Sequence, residues 1–228
     1  MRPLTAIAVL LCCSLPMPGQ SSPAVPLTSE MHHHLALKNE YVRVFQVEVA
    51  PHTSTLLHRH DHDYIWVGIG AAEVTNAAEG KEPVLLKVAD GQTTFTPGPL
   101  THLARNDAAT PFRNVTVEIL KPKKDDPAAQ AEARGLDAGH GAAVETLFLH
   151  DGVRARDVIL NPQAMLHMEE KAPPRLIIAV SAIRLRDHAN GKRAVDQPAG
   201  GFAWVPAGPS MLVNLGDQPA HFVMLDFQ

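Results

Sequence analysis

The feature that most constrains the fold is a series of short, strand-like segments separated by turn residues. β-Branched and aromatic residues predominate within each segment, and Gly, Pro, Asn or Asp ends it. Short strands at regular intervals, in a chain with 19 prolines and 15 glycines, are typical of a β-sandwich or β-barrel rather than a helical bundle. The clearest segments of the first half are residues 41–49, 64–70, 84–88, 92–96, 102–106 and 114–120.

The turn signals of the first half recur in the second half. Thr-Pro-Gly-Pro at 96–99 is echoed by Val-Pro-Ala-Gly-Pro at 205–209, and Asn-Asp-Ala-Ala-Thr-Pro at 106–111 by Asn-Leu-Gly-Asp-Gln-Pro at 214–219. A chain of 228 residues has room for two compact domains of about 100 residues each. The sequence therefore predicts an internal duplication of one β domain.

The first residues have the pattern of an export signal. A positively charged start is followed by the apolar run 4–15, and small residues suit cleavage after Ala24. The alternative is an N-terminal anchor that stays uncleaved. Removal of residues 1–24 would also remove both cysteines, Cys12 and Cys13, and with them any disulfide, cysteine nucleophile or zinc–thiolate cluster. We expect a periplasmic or secreted protein.

Four regions follow from these signals. Between the two strand series the composition changes to Lys, Asp, Ala and Gly, with a helix start at Asp126-Pro127 and a stop at Gly135. We therefore divide the chain into a signal peptide (1–24), an N-terminal barrel (25–120), a linker with a short helix (121–144) and a C-terminal barrel (145–228).

The charge pattern excludes some partners. With a formal net charge of -4 and no basic arm, the chain lacks the electrostatic footprint of a nucleic-acid-binding protein. The apolar run near the start is too short to span a bilayer, so we expect no membrane association once the signal is removed. The expected partner is a small-molecule substrate or ligand, and association as a homodimer is left open.

Alternating histidines predict a metal site in the N-terminal barrel. Residues two apart on a strand face the same way, so His58 and His60 can present two imidazoles to one metal ion. His102 follows the turn at 97–99 and starts a later strand, which could bring it opposite the pair. Imidazole suits zinc, iron, nickel and copper.

These motifs resemble those of the cupin superfamily. Its first motif is His-x-His followed by Glu and Gly, and its second is Pro-x-Gly, then His, then Asn. Here His58, His60 and Gly68 match the first motif, and His102 with Asn106 keeps the His-x-x-x-Asn spacing of the second. The resemblance covers residues 41–119 and, more weakly, 146–227, and it implies two tandem cupin-type jelly-roll β-barrels, an all-β fold.

One position departs from the family pattern. The Glu ligand of the family falls on Tyr64 or Ile65, and neither is a carboxylate. Three neutral imidazoles leave the full charge of the metal, which favours anionic or chelating ligands. Cupins with three histidines include dioxygenases that use ferrous iron, so the resemblance implies Fe(II), with Zn, Mn or Ni as alternatives.

Nearby residues have predicted roles at this site. His62 or the Tyr64 phenol is expected to complete the metal shell or to act as a proton donor in catalysis, and Trp66, which shares their strand parity, is a candidate for substrate binding or the core. Glu48 and Glu118 lie on predicted strands, and either one could face the cavity in place of the missing acid.

Two further histidine segments are assigned no site. The run at 32–34 lies outside every motif, and we expect no functional role for it. In the second repeat only His167 remains, and Ser210 or Met211 stands where His102 is expected. The C-terminal barrel is therefore predicted to be structural, with residues 176–180 buried on both faces between the two barrels.

The leading functional hypothesis is a metal-dependent oxidoreductase of the dioxygenase type that acts on a small chelating substrate. The alternatives are a metal-dependent isomerase or epimerase and a non-catalytic periplasmic small-ligand-binding protein. Fold alone does not decide among them.

Overall fold

A computed structural model describes residues 23–123, 135–139, 141–189 and 193–228, the segment 135–139 by its backbone only. Two predictions fall outside this part of the chain: the signal peptide up to residue 22 and the linker helix over residues 126–134.

The N-terminal half consists of short strands that follow one another closely. A single 3-10 turn, Leu27–Ser29, joins the first two strands. The strands are β1 (Val25–Pro26), β2 (His33–Lys38), β3 (Val42–Val49), β4 (Thr53–Ser54), β5 (His58–His60), β6 (Tyr64–Gly68), β7 (Ala72–Ala78), β8 (Val84–Val88), β9 (Thr93–Thr96), β10 (Leu100–Asn106) and β11 (Phe112–Ile119).

These strands form two facing sheets. One has the order β1-β5-β10-β7-β8, with β4 paired to β10, and the other has the order β2-β3-β11-β6-β9. The space between them is filled partly by apolar side chains such as Phe45, Val49, Val74 and Phe112. Except for β2-β3 and β7-β8, neighbours in each sheet are not consecutive in the chain, as in a jelly roll.

The second half repeats this arrangement. Its strands are β12 (Gly135–Gly139), β13 (Ala142–His150), β14 (Val153–Leu160), β15 (Met165–Met168), β16 (Arg175–Ala179), β17 (Ile183–Asp187), β18 (Arg193–Gln197), β19 (Phe202–Val205), β20 (Ser210–Asn214) and β21 (Ala220–Phe227). They form sheets of order β12-β13-β14-β21-β16-β19 and β15-β20-β17-β18. The expectation of an all-β chain with two barrels is confirmed, and β12 lies within the segment predicted as a linker.

The two barrels share a hydrophobic core. Side chains of β3, β6 and β11 that point away from the first barrel pack with side chains of β14, β16 and β21. β16 is buried on both faces, because Leu176 and Ile178 face this shared core while Ile177 and Ala179 face the interior of the second barrel. The predicted burial of 176–180 is thus confirmed.

An asparagine holds the same turn in both barrels. The Asn106 amide donates to the carbonyls of Val49 and Thr110 at 2.9 and 2.8 Å. The Asn214 amide donates in the same way to Leu160 and Gln218, at 2.8 and 2.9 Å. The equivalence of the two sites supports the internal duplication.

All six predicted strands of the first half are present, with ends that differ by one or two residues. The strands β2 and β7 were not predicted, because their alanines, histidines and polar residues carry little β signal. Within the described part of the chain, no helix has the length and apolarity that a membrane crossing requires.

Candidate metal centre

Strand register brings the predicted histidines together. β10 pairs antiparallel with β5, so that His102 lies opposite His58 and Leu100 lies opposite His60. The rings of His58 and His102 are 4.5 Å apart between centroids, and those of His60 and His102 are 5.2 Å apart. His58 and His60 are buried, with exposures of 0% and 1%.

Hydrogen bonds orient two of these rings. The Nδ1 of His58 lies 2.8 Å from the Leu56 carbonyl oxygen, and the Nδ1 of His102 lies 2.6 Å from the amide oxygen of Asn76. Both partners are acceptors, so each Nδ1 carries the proton and each Nε2 keeps a free lone pair. Partners of this kind also orient metal-ligating histidines in proteins.

The free nitrogens face one another. The Nε2 atoms of His60 and His102 are 3.2 Å apart, and two nitrogens bound to one metal ion are expected about 3–4 Å apart. The Nε2 of His58 and the Nδ1 of His60 are buried without a hydrogen-bond partner in the described structure. A buried lone pair without a donor is costly, and a divalent cation bound through the Nε2 atoms would satisfy that of His58, so the residues fit a metal ion.

His33 of β2 joins this cluster, although no functional role was expected for the run at 32–34. The ligand nitrogens of His33, His58 and His60 lie within 4.8 Å of one another, and the His33 ring is 4.7 Å from that of His58. Its Nδ1 lies 2.7 Å from a carboxylate oxygen of Glu30. The Glu three residues before His33 was the signal available in the sequence.

Burial keeps the cluster neutral. Desolvation, reinforced by the electrostatic effect of the neighbouring His33, lowers the pKa of His58 to about 4. Desolvation and the neighbouring His102 and His58 lower the pKa of His60 to about 2, and desolvation with His58 lowers that of His102 to about 3. All three imidazoles are therefore neutral near pH 7, which is the form that binds metals.

The Pro-Gly-Pro turn fixes the start of β10. The Gly98 amide donates to the Asp63 carboxylate at 2.5 Å, and a Cβ on Gly98 would lie 2.5 Å from the His62 carbonyl oxygen. Only glycine allows this close approach. The turn thus packs against the β5–β6 connection and holds His102 in register with His58.

The predicted accessory residues differ in position. Tyr64 is buried, and its ring stacks on His60 with centroids 4.0 Å apart. Burial raises the pKa of Tyr64 to about 12, opposed by a hydrogen bond with Thr96, so the phenol stays protonated. Trp66 lines the same cavity, whereas His62 is not among the described residues that line it.

Neither candidate carboxylate lines the cavity. Glu48 is exposed on the outer side of β3. Glu118 is fully buried, and its carboxylate lies 2.7 Å from the Nε of Arg43. Burial raises the pKa of Glu118, and the Arg43 charge opposes that rise. Glu118 is on the side of its strand that faces the barrel interior, but its carboxylate pairs with Arg43 instead of facing the cavity.

The histidines face a cavity of about 380 Å³ between the two sheets. Its wall combines apolar side chains with hydroxyl and amide groups, among them Thr94, Thr116, Asn114 and Gln92, and none of the described lining residues is Asp or Glu. The group formed by His33, His58 and His60, with His102 lining the same cavity, suggests a divalent metal with access for a small ligand.

The second barrel places other residues at these positions. Ser210 pairs with Met168 as His102 pairs with His58, and Asp226 pairs with Arg175 as Glu118 pairs with Tyr64. Of the two positions expected to match His102, Ser210 is the equivalent one. No group of imidazoles surrounds this point in the described part of the barrel.

The fold matches those of solved structures. The oxalate decarboxylase of Bacillus subtilis is 15% identical, with a TM-score of 0.56 over 83% of this chain and 70% of that one. AerE from Microcystis aeruginosa is 8% identical, with a TM-score of 0.59 over 87% of this chain and 98% of that one.

The chain has the bicupin fold, and it is distantly similar to metal-dependent cupin enzymes. No family model matches the chain, and no curated protein does.

Proposed function

We propose that the protein is a metal-dependent oxidoreductase of the dioxygenase type, with His58, His60 and His102 as metal ligands in the N-terminal barrel. The observation that carries this proposal is the set of neutral, buried imidazoles whose free nitrogens converge beside a ligand-sized cavity. Fe(II) is the preferred metal. Mn is also to be tested, because the Bacillus subtilis oxalate decarboxylase has Mn(II) centres, as are Zn and Ni.

Of the candidate reactions, a dioxygenase reaction requires the fewest acid or base side chains beside the metal. An isomerase or epimerase needs a general base beside the substrate, and no described lining residue is a carboxylate. Lys87 lines the outer part of the cavity, but it is exposed and lies 3.7 Å from Glu73. A bound metal would supply Lewis acidity and, with iron, reactivity toward oxygen.

The substrate class follows from charge. Neutral ligands leave the two positive charges of a divalent metal uncompensated, which favours a small organic anion with two chelating oxygens, such as an enolate or a carboxylate. Tyr64 is the proposed proton donor at the histidine end of the cavity, since its phenol stays protonated. Trp66 is the proposed substrate wall. His62 does not line the cavity, and its role as a proton donor stays a prediction.

Export of the protein is also proposed, on the pattern of residues 1–24. It predicts a periplasmic or secreted protein whose partner is a small molecule rather than nucleic acid or membrane.

The test begins with protein purified without a histidine tag, then loaded anaerobically with Fe(II), Mn(II) or Zn(II). Nitric oxide added to the Fe(II) form should give the EPR signal of an iron–nitrosyl centre, which requires an open coordination position. Oxygen uptake should follow when small enolates and dicarboxylates are screened. Metal binding without nitrosyl formation or oxygen uptake would contradict the enzyme and favour a non-catalytic binding protein.

A further inference from the structure

We propose that Glu30 and His33 form a fourth arm of the metal centre, in which His33 binds the metal and Glu30 positions it and supplies the negative charge that the three other histidines lack. This inference rests on the proposed metal site and adds a ligand, a positioning residue and a role for the N-terminal strand.

The N-terminal segment is built across the barrel beside the histidines. β1 pairs parallel with β5, Val25 lying opposite His58. β2 pairs antiparallel with β3 in the facing sheet, His33 lying opposite Val47. The segment therefore passes from one sheet to the other next to β5, and Glu30 lies where it crosses.

Glu30 is a buried carboxylate with a complete set of donors. Its side chain has 0% exposure, and its oxygens accept from the Nδ1 atoms of His33 and His32 at 2.7 and 2.9 Å. The backbone amides of His32 and Leu56 also donate to it, at 2.8 and 3.1 Å. Four convergent donors fix the Glu30 carboxylate in place, unlike the carboxylate of an exposed ion pair.

The same contacts connect Glu30 to a second ligand. The Leu56 amide donates to Glu30, and the Leu56 carbonyl accepts from Nδ1 of His58 at 2.8 Å. The backbone of one residue, Leu56, thus positions both the acid and His58. Because the proton on His33 Nδ1 is directed at Glu30, the His33 Nε2 lone pair is free to face the cluster.

This arrangement accounts for the missing acid ligand. A carboxylate that accepts a hydrogen bond from a ligating imidazole fixes the ring orientation and makes the imidazole a stronger donor to the metal. The negative charge would reach the metal through one hydrogen bond instead of a direct bond. The centre would then present four nitrogens and no protein oxygen, a donor set that suits imidazole-binding metals more than Mg²⁺ or Ca²⁺.

The test uses the chain with residues 25–38 retained and two probes, Zn(II) for affinity and Cu(II) for ligand counting. Competition with a chromophoric chelator measures Zn(II) affinity, and pulsed EPR of Cu(II) counts the remote imidazole nitrogens. We expect Glu30→Gln to weaken Zn(II) binding by about 10–100-fold with the imidazole count unchanged. His33→Ala should weaken it further and lower the imidazole count by one.

The matched control is His34→Ala, which removes an exposed histidine of the same run and should leave affinity and count unchanged. Thermal unfolding of the metal-free variants checks that each one folds. If His33→Ala does not fold, Glu30→Gln still tests the inference, because glutamine keeps the shape of the glutamate side chain. If His58→Ala/His102→Ala loses the metal while His33→Ala keeps wild-type affinity and count, this inference is wrong and the proposed function stands. If the wild-type chain binds neither probe, both are wrong.

Discussion

The two barrels share a strand register but fill their centres in opposite ways. In the first barrel, His58 and His102 turn lone pairs toward a point beside Tyr64. In the second, Arg175 stands at the position of Tyr64 and is fully buried. It donates to the carbonyls of Pro173 and Gly208 at 2.9 and 3.1 Å.

The side chains around Arg175 have changed to match it. Met168, at the position of His58, places its sulfur against the guanidinium. Asp187 occupies the position of Asn76 and accepts from the Ser210 hydroxyl at 2.9 Å. Asp226 pairs with Arg156 at 2.6 Å. The imidazole nitrogens of the first barrel need a cation from solution. In the second barrel the guanidinium of Arg175 is that cation, and it belongs to the chain itself.

The largest expected effect tests whether only the first barrel binds metal. His58→Ala/His102→Ala should reduce bound metal from near-stoichiometric to background, because it removes two of the converging nitrogens. The equivalent change in the other barrel, Met168→Ala/Ser210→Ala, should leave metal content unchanged. Elemental analysis of both variants measures this, and equal losses would break the comparison.

The next effect concerns stability. Arg175→Met leaves the carbonyls of Pro173 and Gly208 without their donor, which should cost about 1–3 kcal/mol for each buried acceptor. Tyr64→Phe at the equivalent position removes one hydrogen bond and should cost about 0.5–1.5 kcal/mol. Urea unfolding followed by the fluorescence of the two tryptophans, Trp66 and Trp204, measures both losses. A smaller loss for Arg175→Met than for Tyr64→Phe would show that the guanidinium is not what holds the second centre together.

The third prediction concerns a difference in pH dependence between the metal-free barrels. The pKa values of His58, His60 and His102 lie below the ordinary value of 6.5, so below that pH the unfolded chain binds more protons. The first barrel should therefore lose stability as pH falls from 6.5 toward 4.

In the second barrel we expect the opposite pH dependence of stability. The hydrogen bond to Asp157, at 2.7 Å, raises the pKa of His221. Its stabilising contribution is fully present below 6.5 and is lost as pH rises through the raised pKa. Urea midpoints of the wild type and of His221→Gln at pH 5 and 7 separate the two trends, because only the wild type keeps the His221 contribution. A second-barrel trend that survives in His221→Gln would have another origin.

The sequence predicted what depends on local pattern. Segments such as 41–49 and 114–120 are rich in Val and alternate clearly, and they are strands. The spacing of His58 and His60, with the turn before His102, predicted residues that the fold does bring together.

What the sequence did not predict depends on contacts between distant strands. His33 reaches the cluster only because β2 lies in the sheet opposite β5, and no periodicity in the run 32–34 encodes that. Glu118 has the strand parity of a cavity residue, but Arg43 on the adjacent strand pairs with it. Likewise, Arg175 is identified as the occupant of the second centre only by its register with Asp226.

The apolar layer shared by the two barrels has a consequence for how such a protein can change. Two identical barrels that met through these sheets as separate chains would form a two-fold symmetric dimer, and every substitution would occur twice. Joining them in one chain removes that constraint, so one centre can become a packed core while the other keeps its open imidazoles. The layer formed by residues such as Ile65, Val117 and Leu225 holds together two halves that no longer need to be alike.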